Sequence, residues 1–124
     1  MQARKAIVAA KTFAVITARL GRATGRPDTA ARFAARFLAG DETPVTFNWH
    51  GLEIAARGAD WFALQEVLIE REYEALLPFL AGAAPPVVLD LGANIGAFAT
   101  FLLANRRDAV VHSYEPAATT CRLL

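Results

Sequence analysis

"VVLDLGANIGAFATFLLANRRDAVVHSYEP", residues 87 to 116, is the stretch whose reading decides the fold. Val87–Leu91 is an apolar run broken only by Asp90. Such runs are typical of parallel strands buried on both faces. Pro85 and Pro86 fit just ahead of it, where no ladder hydrogen bond is yet required. Residues 92–96 read as a strand-to-helix turn. Residues 95–104 read as a helix that packs Phe98, Phe101 and Leu102 on the sheet, with Asn105 as its stop. Residues 109–114 then form a second strand. A strand-helix-strand unit of this length predicts a parallel pair joined by a right-handed crossover.

The loop has a specific chemistry. Gly92 and Gly96 allow positive φ and close backbone approach. Asn94, between them, tolerates the left-handed region better than most residues. The helix start behind the loop is expected to offer free N–H groups. Asp90 stands at the carboxyl end of its strand, where ligands of open α/β sheets bind. Glu115, at the end of the next strand, can accept hydrogen bonds from both hydroxyls of a ribose. The stretch therefore reads as a nucleoside half-site. A dinucleotide fingerprint wants glycine where Asn94 stands, and Asp90 would face a pyrophosphate. A ligand with a positive centre and no phosphate suits the pattern better, and S-adenosylmethionine is one.

These residues carry a resemblance. Asp90-Leu91-Gly92-Ala93-Asn94-Ile95-Gly96, then Tyr114-Glu115-Pro116, then Arg122-Leu123-Leu124 resemble the start of the FkbM family of S-adenosylmethionine-dependent methyltransferases. The Glu72-Tyr73 pair upstream is similar to the family as well. The resemblance covers about residues 60–124 and does not extend to residues 1–59. It implies an α/β fold, the start of a Rossmann-like, doubly wound sheet; helices and a small β-hairpin, read from the residue pattern, precede it. It implies that Asp90, Gly92, Ala93, Asn94 and Gly96 line the methionine end and ribose of the cofactor, and that Glu115 holds the ribose hydroxyls. The implied activity is O-methylation of a small-molecule hydroxyl, with no catalytic residue assigned. Such a sheet has more strands than the two read here. The expectation is thus that these residues are part of a longer domain and are inactive as an enzyme alone. Two alternatives stand beside it: a non-catalytic module that docks to a partner, and a nucleotide-cofactor Rossmann protein.

Outward from the motif, three segments are expected. Residues 1–27 form a basic N-terminal helix, 28–84 a helical and hairpin extension, and 85–124 the β-α-β unit with the start of a next helix. In the first, residues 3–20 read as a helix with Phe13, Ile16 and Leu20 on one side and Arg4, Lys5, Lys11 and Arg19 on the other. Val8 and Val15 intrude on the basic side. Docking on the domain or on a partner is the plain expectation for this helix; contact with an anionic membrane surface is the sharper one. Gly21, Gly25 and Pro27 should break the chain, with Asp28 or Thr29 capping a helix over 29–39 and Gly40 ending it. Residues 45–57 alternate as a hairpin turning at His50. Asp60 is expected to cap a helix over 61–77, ended or kinked by Pro78. Glu66 and Glu70 read as its solvated face, and residues 81–86 as a linker. His112 reads as a packing residue, and Cys121 as a small helix residue.

Composition bounds the rest. The 124 residues are 55% hydrophobic and 20% charged, enough for one domain with a core. The net charge of +1 hides an asymmetry. Six of the thirteen basic residues precede Asp28, the first acidic one. Seven basic and twelve acidic residues follow, a net of −5. The acidic remainder argues against nucleic acid as a partner. His50, His112 and Cys121 lack the spacing of a metal site. A lone cysteine fits a reducing compartment, so a cytoplasmic location is expected. Lys11 interrupts the apolar start too early for a membrane span.

Overall fold

The computed structural model describes residues 2–124, a mixed α/β arrangement of helices, an antiparallel hairpin and a parallel strand pair. Helix α1 spans Gln2–Thr24. It runs through Gly21, where the sequence predicted a break. Gly21 is buried, and a Cβ there would lie 3.2 Å from Pro27 Cα, so the missing side chain admits the next helix. The turn falls later, at Gly25 with φ +69°. Helix α2 is Pro27–Ala39. Its N-cap is Arg26, with Pro27 in the first turn, and neither Asp28 nor Thr29 caps it. Asp28 instead accepts two bonds from the Arg26 guanidinium, at 3.1 and 3.0 Å, which hold its carboxyl down at about 2. Gly40 closes the helix in the left-handed conformation, as expected.

Strands β1 (Val45–Trp49) and β2 (Leu52–Ala56) form the predicted hairpin, paired from Val45–Ala56 to Trp49–Leu52. His50 and Gly51 both have positive φ, the backbone of a two-residue turn that matches strand twist. Val45, Phe47 and Trp49 point into the core, and Ile54 and Ala56 join them.

The predicted helix over 61–77 does not form as one piece. A single α-turn, α3 (Trp61–Ala63), passes into a π-helical stretch, Leu64–Ile69. Arg71 then takes φ +55°, and a 3₁₀ segment, Glu74–Leu80, follows with Pro78 inside it. The apolar stripe explains the break. Trp61, Leu64 and Leu68 call next for an apolar residue at 71 or 72, where Arg71 and Glu72 stand. A continued helix would carry charge into the core, so the chain unwinds there. Asp60 also departs from its predicted role. Its carboxylate accepts the Arg57 backbone N–H at 2.8 Å and pairs with the Arg57 guanidinium, rather than capping α3.

Strand β3 (Val87–Leu91), helix α4 (Ala97–Asn105) and strand β4 (Val110–Tyr114) form the strand-helix-strand unit, and β3 and β4 pair in parallel, Val87 beside Val110. Helix α5, Ala118–Cys121, follows. One expectation fails here. The pair is covered on one face only. Val87, Leu89 and Leu91 are 68, 65 and 77% exposed, while Val88, Asp90, Val111 and Ser113, on the other face, are half-buried. His112 shares the open face and is exposed, so it does not pack. The linker before β3 is held by Arg106, whose guanidinium donates to the carbonyls of Leu80, Gly82 and Ala84.

A single hydrophobic cluster joins Ile16 and Leu20 of α1, Phe33 of α2, the hairpin, Trp61 and Leu64, and Ile95 and Phe101 around α4. Phe33 meets Phe47 edge-on at 5.4 Å. The cluster thus crosses all three segments distinguished in the sequence.

Candidate functional site

The loop after β3 adopts the conformation its residues favour. Gly92, Asn94 and Gly96 have φ of +83°, +50° and +78°. Three left-handed residues in five turn the chain sharply from β3 into α4, and only glycine and asparagine do this cheaply. Ala93, Ile95 and Gly96 are buried beneath the turn, while Asn94 faces out.

Four of the five N–H groups of residues 92–96 are spent inside the protein. Gly92 and Ala93 both donate to the Tyr114 carbonyl, at 2.8 and 3.0 Å, and Gly96 donates to Ala93 O at 2.9 Å. Asn94 N–H donates to Glu115 Oε2 at 2.8 Å. The helix start behind the loop, where the sequence predicts free N–H groups, keeps them: Ile95, Ala97, Phe98 and Ala99 N–H have no partner among the described residues.

Glu115 therefore ties the loop to the end of β4. Its second oxygen accepts the Ala117 N–H at 2.8 Å. A carboxylate has about four acceptor positions, so about two remain for other donors.

Asp90 is different. Its Oδ2 is buried and has no hydrogen-bond partner. Burial pushes its carboxyl above the ordinary range, because the charged form is poorly solvated. An unsatisfied buried oxygen of this kind costs stability, which its neighbours do not relieve. Tyr73 stands near it. Its ring packs edge-on against Phe98 of α4 at 4.8 Å. Burial first, and then the charges of Glu72, Asp90 and Glu66, push its phenol up. The π-helical stretch and the break at Arg71 thus bring Tyr73 to the end of β3. The sequence pointed to the Glu72-Tyr73 pair but put it on an unbroken helix, where its approach to Asp90 was not visible. Glu70 stays apart, paired with Arg19 at 3.1 Å.

The structure accordingly brings Asp90, Gly92, Ala93, Asn94, Gly96 and Glu115 to one end of the parallel pair, with Tyr73 beside Asp90. A cleft of about 230 Å³ lies next to the loop, between the hairpin and α4, and includes Glu53, Gly96, Thr100, Ser113 and Leu124. Neither Asp90 nor Glu115 lines it. No cluster of His, Cys, Asp and Glu suited to a metal ion occurs among the described residues. No protein-family model, curated protein or solved structure matches the chain.

Proposed function

We propose that the chain binds S-adenosylmethionine at the β3 and β4 ends and belongs to a methyltransferase that acts on a small-molecule hydroxyl. The observation that carries this reading is the orphaned Asp90 Oδ2. A buried carboxylate oxygen without a donor fits a cationic group, and the carboxylates of Glu66 and Glu72 around Tyr73 add to the negative potential. Asn94 stands where a dinucleotide fingerprint has glycine, and the Asp90 carboxylate would face a pyrophosphate, which weighs against a dinucleotide. In this reading Asp90 faces the cationic methionine end. Gly92, Ala93, Asn94 and Gly96 let the ligand approach the backbone, and Glu115 accepts from the ribose hydroxyls with its remaining lone pairs. When bound, the cofactor supplies an electrophilic methyl group. The protein's part is to orient it and keep its charge compensated. The parallel pair and its glycine loop would then be the start of a Rossmann-like sheet.

Calorimetry of the full chain with S-adenosylmethionine tests the proposal. A saturable signal is expected, lost in Asp90→Ala with unchanged circular dichroism and not reproduced by NAD. Absence of heat from the parent chain, or equal heat from Asp90→Ala, would overturn it.

A second reading is a non-catalytic module whose β3–β4 face docks on a partner. The exposed Val87, Leu89, Leu91 and Val110 favour it. A chain that ignores the cofactor yet associates through this face would support that reading instead.

A further inference from the structure

Helix α1 has two halves with different surroundings. Ile16, Leu20 and Gly21 are buried in the core or against α2. Over residues 2–15, only Ala9 and Thr12 are even partly covered. On the outer face Ile7 and Val8 are each 57% exposed and Val15 is 52% exposed. At 3.6 residues per turn these three lie within an arc of about 100°, opposite Ala9 and Ile16. Arg4 and Lys11 fall inside the same arc. The valines that intrude on the basic side are thus part of a mixed apolar and cationic stripe. Leu38 of α2, 42% exposed, lies beside it, and a cleft of about 480 Å³ there is lined by Arg4, Lys5, Val8, Phe37 and Leu38.

The charges are free to act outward. Arg19 pairs with Glu70 and Arg26 with Asp28. Arg4, Lys5, Lys11 and Arg22 make no ion pair among the described residues, and no acidic residue precedes Asp28. A second copy of α1 packed on this stripe would set cation against cation. β-Branched residues on a solvent-facing helix lose side-chain freedom and bury nothing in return.

We propose that α1 docks this chain on an anionic lipid surface, lying in the plane of the interface. Ile7, Val8 and Val15 enter the headgroup boundary, and Arg4, Lys5 and Lys11 reach the lipid phosphates along their flexible stems. No helix among the described residues is long and apolar enough to cross a membrane. The contact is peripheral and weakens with salt. It is independent of whether the loop after β3 binds a cofactor.

Co-sedimentation of the full chain with vesicles tests this. Binding is expected to vesicles that contain phosphatidylserine and not to phosphatidylcholine alone, with release at high salt. The triple variant Arg4→Gln, Lys5→Gln, Lys11→Gln should lower the partition on the order of a hundredfold, at about 1 kcal/mol per cation. Ile7→Asp with Val8→Asp should abolish it while leaving circular dichroism and the melting temperature unchanged, because both residues are exposed. Equal binding to both vesicle types, no binding at all, or indifference to either variant would overturn the proposal. Concentration-dependent dimerisation removed by Val8→Asp would also overturn it, by making a second copy the occupant.

Discussion

Asp90 concentrates the conflict between folding and binding at one residue. Burial raises its pKa, and no donor meets its Oδ2. A carboxyl with a raised folded pKa holds its proton more readily in the fold than in the unfolded chain. Its ionisation therefore costs stability above that pKa, and the cost vanishes as pH falls below the unfolded value, about 3.9. Asp90→Asn should raise the melting temperature at pH 7, and the gain should shrink towards pH 4. Thermal unfolding of both proteins at pH 7, 5 and 4 checks this; a gain independent of pH would place the cause elsewhere. Stabilisation on removal of a polar group is the mark of a residue kept for its chemistry. The position of Asp90 at a strand end was legible in the apolar run around it. The missing donor was not, because it depends on what α4 and Tyr73 leave uncovered.

Among the elements, the segment between the hairpin and β3 is the least regular. Its helical periodicity was plain; its break was not, because it depends on the core that Arg71 and Glu72 would have to enter on a continued helix. The break brings Tyr73 against Phe98, and Arg71 lies over the Phe101 ring at 5.5 Å. The linker that follows has few contacts of its own. Arg106 orders it, with a bidentate pair to Asp108 at 2.9 Å holding the guanidinium in place. Arg106→Ala should therefore free the carbonyls of Leu80, Gly82 and Ala84. It should also speed hydrogen exchange at the Val110 amide, which donates to Pro86 O at 2.9 Å. Exchange of the α1 and α2 amides should be unchanged. If Val110 exchanges at the parent rate, the linker is held by something other than Arg106.

Across the whole molecule, one core and one open sheet face set the behaviour. The core draws on α1, α2, the hairpin and α4 together, so these parts should unfold together. The β3–β4 face contributes nothing to it. Leu89→Lys with Leu91→Lys should consequently leave thermal stability within about 0.5 kcal/mol, as surface changes usually do. The same variant should reduce self-association measured by light scattering, because it places charge on an exposed apolar face. A large loss of stability would mean that this face is packed in solution.

The hairpin and the glycine-asparagine loop were determined by the sequence alone, because each rests on local chemistry. Strand alternation and positive-φ residues act over a few residues and need no distant partner. The basic start of the chain was equally legible, since uncompensated charge is a matter of counting. Tertiary structure decided the rest. Packing against Pro27 carried α1 through Gly21, the core refused a continuous helix past residue 70, and β4 and Glu115 took the N–H groups of Gly92, Ala93 and Asn94. Each of these depends on which distant surface arrives, and burial, unlike propensity, is not a property of the residue that is buried.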